Sequence, residues 1–186
     1  MPDMQSSDKT AYTLEVLQAM RGDRRAFELL IDRFDIRLLY YVRKLIDDSN
    51  HAQDIVQETW VCAFRSLPRL RDPKAFQSWL YRIAHGYVAK ELHRHYRRRE
   101  DQAMIDVVDE SFVEDEMRVE QAAVIHAALS ELSPPHREIL LLRFMEDFSI
   151  EEIANTLDLP PGSVKSRLHY AKNALRTVLT RLNERP

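Results

Sequence analysis

The sequence predicts an all-α protein of two small helical domains joined by an acidic flexible linker, and three observations carry that expectation. Only three glycines occur in 186 residues and few stretches alternate as a strand would, so β-structure has little support. Apolar residues instead recur at steps of three and four along most of the chain. Between Glu100 and Glu120 nine acids face the single base Arg118, a local net charge of −8 in a chain whose total is −3, which leaves +5 for the remainder. Two mildly basic bodies with an acidic connector attract nucleic acid at both ends and repel it between them. The expected organisation is a disordered lead over 1–10, a first helical domain over 11–99, an acidic linker over 100–117 and a second helical domain over 118–186.

A hydrophobic fraction of 45% supplies a packed core. The single Cys62 excludes an intrachain disulfide and a Cys-rich zinc module, and core filling is its expected role. No apolar run approaches a membrane span, and the polar start Met1 to Thr10 lacks the apolar centre of a secretion signal, so a cytoplasmic location without membrane insertion is expected.

Thr13 to Met20 reads as a short helix with Leu14, Leu17 and Met20 on one side, ended by Gly22 while Asp23 caps its successor. From Arg24 to about Asp47, Phe27, Leu30, Ile31, Phe34, Leu38, Val42 and Leu45 follow helical spacing and define a core helix. Asn50 and Gln53 suggest a capping pair before a helix from His51 to Ser66, with Ala52, Ile55, Val56, Thr59, Ala63 and Phe64 inward. Its other face is Asp54, Gln57, Glu58, Val61 and Arg65. Leu67 to Lys74 is a loop closed by Asp72 as cap and Pro73 at a first helical position.

The next helix, to about Arg98, carries Phe76, Leu80, Ile83, Tyr87 and Leu92 as its core stripe. Trp79, Arg82, Lys90, His93, Arg94 and Arg97 are left nearer the surface. Aromatics among bases suit a single nucleic-acid strand, where rings stack on bases and cations hold phosphates. An aromatic stripe at helical spacing equally suits a core, and Phe76 and Tyr87 are read that way. His85, His93 and His95 lack the spacing of a metal site, so neither a metal nor another cofactor is expected. No nucleophile–base constellation or phosphate-cradling loop is visible, so no enzymatic activity is expected.

In the second domain, Arg118 to Glu131 is amphipathic through Val119, Ala122, Ala123, Ile125, Ala128 and Leu129. Ser133 caps a helix over Pro134 to Met145 with Ile139, Leu140, Leu142 and Phe144 available for packing. Ser149 and Glu152 form a capping box that starts a helix at Ile150, whose apolar face is Ile150, Ile153, Ala154 and Leu157. Pro160 and Pro161 stop it and open a last helix to about Leu182, with Val164, Leu168, Ala171, Leu175 and Val178 as its stripe. Gly162, Ser163, Lys165, Ser166, Arg167, Tyr170 and Lys172 lie off that stripe. A tight turn before a polar, basic second helix reads as a helix-turn-helix set to meet duplex DNA; a helical hairpin with a solvated face is the alternative.

The order of parts resembles the extracytoplasmic-function (group IV) sigma factors of bacterial RNA polymerase, of the sigma-70 family, over nearly the whole length. The matching stretches run from Gly22 to Phe34, Ala52 to Trp60, Phe76 to Ala84, Leu132 to Glu138, Glu152 to Ala154 and Gly162 to Leu168. The resemblance implies that 11–99 acts as sigma region 2, docking Asp54, Gln57, Glu58, Val61 and Arg65 on the polymerase β′ subunit. It also implies that Arg69, Arg71 and Lys74 of the loop, with Trp79, Arg82, Lys90, Arg94 and Arg97, recognise and open the promoter −10 element. The helix-turn-helix, through Gly162, Ser163, Lys165, Ser166, Arg167, Tyr170 and Lys172, would read the −35 element and touch the β flap. An anti-sigma factor is the implied regulator, and the free protein is expected to be a monomer.

Of the acidic cluster common in that family before the docking helix, this chain retains Asp54, and phosphorylation of Ser49 or Thr59 is one way to restore charge. Gly86, Lys90 and Pro160 also depart from the residues common there. The rival reading is a stand-alone helix-turn-helix repressor or activator that does not bind core polymerase. A remoter one is a nucleic-acid enzyme using His85, His93 and His95.

Overall fold

The computed structural model describes residues 12–46, 48–101 and 124–184, all of whose regular elements are helical. The acidic stretch 102–123 and the lead lie outside them, as do Val119, Ala122 and Ala123. The described residues fall into two compact units, one carrying the helices up to Asp101, with Asn155–Leu157 also assigned to it, and one carrying the remainder from 124 onward.

In the N-terminal unit, α1 (Thr13–Met20) packs on α2 (Arg24–Arg43), α2 on α3 (Ser49–Ser66) and α3 on α4 (Phe76–Asp101). Gly22 turns the chain between α1 and α2 at φ +94°, a conformation that suits glycine. Asp23 then caps α2, accepting from the amides of Arg25 and Ala26 at 2.9 and 3.3 Å. The core is aromatic. Phe34 meets Tyr12 edge-on at 5.0 Å between ring centroids and Phe76 at 5.6 Å, while Tyr41 meets Tyr81 at 5.1 Å.

Several sequence expectations are corrected here. The inner face of α1 is Tyr12, Val16 and Ala19, and Leu14 and Leu17 are exposed with Met20 half-buried. The spacing of the larger side chains misled, because a tyrosine ahead of the helix and an alanine within it do the packing. α2 stops at Arg43, and Leu45 and Ile46 are buried in the turn that follows, while Ile31 is only half-buried. Asn50 and Gln53 do not cap α3. Asp48 does, accepting from the amides of Asn50 and His51 at 2.8 and 3.1 Å. Phe64 is 52% exposed, and Trp60 takes the inward position instead, its Nε1 donating to Asp35 at 2.9 Å. Thr59 is fully buried and donates to the Ile55 carbonyl at 2.7 Å, which closes it to a modifying enzyme. Leu67 to Lys74 contains a 3-10 turn, Leu67–Arg69, and leads into a second, Pro73–Ala75, capped by Asp72. α4 runs on to Asp101, past the expected start of the linker.

The C-terminal unit comprises α5 (124–130), α6 (Pro134–Leu140) continued by a π-helical turn (Leu141–Met145), α7 (Ile150–Leu157) and α8 (Pro161–Asn183). Its core is mostly aliphatic, with Leu129, Ile139, Leu142, Ile153 and Val164 buried around Phe148. Ile125 and Phe144, expected to pack, are 48% and 58% exposed. The wider π turn rotates Phe144 outward relative to the α-helical register that the spacing assumed. Ser133 stands at the N-cap of α6 without a side-chain bond. Arg137 secures that corner instead, donating to the carbonyls of Leu129, Ser130 and Leu132. The capping box is present as read, with Ser149 Oγ accepting from the Glu152 amide at 3.1 Å and Glu152 accepting from the Ser149 amide at 2.8 Å.

Candidate nucleic-acid interface

Two surfaces collect the residues that the sequence singled out. The first is built by α3 and α4. On α3 the helical repeat that buries Ile55, Val56, Thr59 and Ala63 leaves Asp54, Gln57, Glu58, Val61 and Arg65 exposed together. Beside that face, α3 and α4 enclose a shallow groove of about 450 Å³ lined by Cys62, Trp79, Arg82, Ile83, Gly86, Tyr87 and Lys90.

Three of these, Trp79, Arg82 and Lys90, were expected at the surface. Cys62, Ile83 and Tyr87 were expected in the core, and all three are half-buried instead, as is Leu92. The buried stripe of α4 is Phe76, Gln77, Leu80, Tyr81, Ala84, Val88 and Glu91. A signal was present, since Gln77, Tyr81, Ala84, Val88 and Glu91 follow steps of four, three, four and three. It was masked because two members are polar and one is small.

The Lys90 ammonium sits 5.4 Å from the centroid of the Tyr87 ring, and Trp79 stands 5.8 Å from Phe76, which fixes its base. The Tyr87 phenol is pushed above its ordinary pKa, first by burial, then by Cys62 and Glu58, with Arg65 opposing. Arg69, Arg71 and Lys74 are exposed on the turns before α4. Arg94 is exposed but ion-paired with the buried Glu91, so part of its charge is engaged within the unit. The side chain of Arg97 lies outside the described residues.

The second surface is the start of α8. α7 ends on Asp158 in the left-handed conformation, φ 54° and ψ 49°, which a short polar side chain tolerates. Pro160 and Pro161 then launch α8 with no side-chain cap. Gly162, Ser163, Lys165, Ser166, Tyr170 and Lys172 are exposed and Arg167 is half-buried. Ser166 donates back to the Gly162 carbonyl at 3.1 Å. Val164 and Ala171 are buried, and Leu168, Leu175 and Val178 are half-buried. An uncapped helix start with cations on its first turns is a favourable seat for phosphate. Among the described residues no group of three His, Cys, Asp or Glu side chains is placed to hold a metal, and no helix is long and apolar enough to cross a membrane.

A helical body with a cation-rimmed aromatic groove, followed by a helix-turn-helix unit, defines a class of promoter-binding protein. Family models for Sigma-70 region 2 and Sigma-70, region 4 match residues 30–101 and 122–175. The RNA polymerase sigma-H factor of Pseudomonas aeruginosa is 32% identical over 177 residues, covering 88% of this chain and 91% of that one. The ECF RNA polymerase sigma-E factor of Haemophilus influenzae is 30% identical over 172 residues, covering 86% and 90%. The solved structure of CnrH in complex with the cytosolic domain of CnrY aligns with a TM-score of 0.65 at 27% identity, covering 91% of this chain and 97% of that one. The sigma factor RpoE from Bartonella quintana, in complex with the anti-sigma factor NepR, aligns at 0.69 and 22% identity over 83% and 96%, a likeness of fold. The chain belongs to the extracytoplasmic-function sigma factors of the sigma-70 family. It is an alternative sigma factor, a non-catalytic regulator that directs transcription initiation, and the stand-alone repressor reading is set aside.

Proposed function

We propose a division of labour among the named residues. The exposed α3 face, Asp54, Gln57, Glu58, Val61 and Arg65, docks on the β′ subunit of core polymerase. The turns carrying Arg69, Arg71 and Lys74, with Trp79, Arg82, Lys90, Arg94 and Arg97 of α4, bind and open the −10 element. The start of α8, from Gly162 to Lys172, reads the −35 duplex. Residues 11–99 and 118–186 are then the two working domains and 100–117 their linker. The protein works where core polymerase is, in the cytoplasm, and needs no catalytic group of its own.

The observation that carries this reading is the contiguity of the exposed α3 face with the groove rimmed by Arg82 and Lys90. A strand separated next to the docking face can be caught at once by stacking and phosphate contacts. The complexes of CnrH with the cytosolic domain of CnrY and of RpoE with the anti-sigma factor NepR support an anti-sigma partner for this chain too.

Reconstitution tests the proposal. The full chain is mixed with sigma-free core polymerase, and complex formation and transcription from selected promoters are measured. Core binding with specific initiation, both lost when Asp54 and Glu58 are changed together, is the expected result. Tight duplex binding by a chain that does not bind core would overturn it.

A further inference from the structure

α3 and α4 are also tied together by charge, at a point outside the groove. His51 stands on the first turn of α3, and Glu91 is buried on α4. We infer that Glu91 and His51 are positioning residues for Arg94: a neutral His51 leaves Arg94 held by the Glu91 carboxylate, whereas a protonated His51 competes for that carboxylate and frees the guanidinium for a DNA phosphate. The inference rests on the reading that Arg94 meets −10 DNA, and it adds a proton-dependent control over that contact.

One carboxylate serves two helices. Arg94 Nη2 meets Glu91 Oε2 three residues along α4, while His51 Nδ1 of α3 lies 3.8 Å from Glu91 Oε1 and 3.6 Å from Oδ2 of Asp48, the acid that caps α3. Both histidine contacts are too long for a hydrogen bond, and this ring nitrogen is buried without a hydrogen-bond partner. A proton on the ring turns the two long contacts into two ion pairs. The pull is stronger toward Glu91, because burial lowers the local dielectric. Other charges nearby are Asp54, three residues along α3, and Glu58, which adds a weaker pull on Arg94. On α4, Lys90 is turned to the Tyr87 ring. From α2, packed on α3, no described acid comes within ion-pair range of His51.

Arg94 is exposed, so DNA can reach it, but its guanidinium is engaged inside the unit. A buried carboxylate resists losing a cation, and a phosphate therefore competes poorly for Arg94 while Glu91 holds it. A second cation at Glu91 weakens that hold. Histidine is the side chain that changes charge between about pH 5 and 8, so the contact to DNA strengthens as pH falls through that range. The coupling is reciprocal: a phosphate bound at Arg94 favours the proton on His51.

The test uses holoenzyme made from the full chain and core polymerase, binding a fluorescent −10 fork whose non-template strand is already unpaired, near pH 6 and near pH 8 at equal ionic strength. Wild-type affinity, taken relative to His51→Gln under the same conditions, is expected to be about three- to tenfold higher at the lower pH. That ratio removes the pH dependence of the polymerase and of His85, His93 and His95, which both chains share. Glu91→Gln keeps the shape and removes the charge, and it should bind as tightly at the higher pH as the wild type does at the lower, with His51→Gln adding no further change. Thermal melts of the free chains check the fold; should Glu91→Gln lower the melt, the profile of His51→Gln decides the question by itself. If Arg94→Ala weakens binding while wild-type and His51→Gln holoenzymes share one pH profile, the inference is overturned and the role of Arg94 stands. An Arg94→Ala holoenzyme that binds as the wild type does at both pH values overturns both.

Discussion

The two units differ in how they hold the surfaces proposed to meet DNA. The N-terminal unit relies on large rings packed edge to face, Tyr12, Phe34 and Phe76 on one side and Tyr41 and Tyr81 on the other. The C-terminal unit, among its described residues, buries a single aromatic, Phe148, and relies on local hydrogen bonds at helix ends. The difference follows from shape. A concave groove stays open only if the helices forming it are held apart by a stiff core, whereas a helix end that enters a duplex groove is convex and needs only to be aimed.

That contrast can be broken at its strongest point first. Phe34→Ala removes a ring that is 1% exposed and should destabilise the N-terminal unit by about 3–5 kcal/mol. Urea denaturation followed by tryptophan fluorescence reads this directly, because Trp60 and Trp79 both lie in that unit. A loss below about 1 kcal/mol would mean that the aromatic cluster is not what keeps the groove open.

The next largest effect belongs to the α3 face proposed to dock on core polymerase. Asp54→Ala with Glu58→Ala removes two exposed carboxylates and no packing, so the fold should hold while affinity for core polymerase falls by about 30-fold, on the order of 2 kcal/mol. Fluorescence anisotropy against core polymerase measures it, and equal affinity would move docking elsewhere on the unit. For the other unit, Ser149→Ala breaks the capping box and should cost about 1 kcal/mol, seen as a lower midpoint in helix-detected denaturation. In duplex binding, Lys165→Ala should lower the slope of log affinity against log salt by about 1, with sequence preference kept.

The smallest effect is alkaline. Burial raises the Tyr40 phenol to about 12 from 10.0. The folded state thus holds this proton more tightly than the unfolded chain. The associated stability is present in full below pH 10 and is lost as pH rises toward about 12. Tyr40→Phe should flatten that part of the stability–pH curve, and an unchanged slope would assign it to other groups.

Legibility in the sequence divides along the same line. Capping signals are local, and Asp23, Asp72 and the Ser149–Glu152 pair could be read from neighbouring residues because their partners are two or three positions away. Asp48 was missed only because Asn50 offered a competing cap two residues on. Which side of a helix faces inward is not local. Tyr87 and Phe64 carry large apolar surface and were placed in the core on size, while Gln77 and Glu91 are buried and were not. Packing against neighbouring helices decides such positions, and a single helix's pattern does not contain it. The groove was illegible for that reason. Its cations were found by charge, but its floor is made of side chains whose size suggested interior roles.

Position 86 has a consequence for how such proteins diversify. Gly86 lies mid-helix on the solvent side with room around it, and glycine there costs about 1 kcal/mol of helix stability relative to alanine. Most replacements therefore begin with a gain in foldability. Duplicated copies of the gene can therefore vary the wall of this groove through single codons, without passing through a misfolded ancestor.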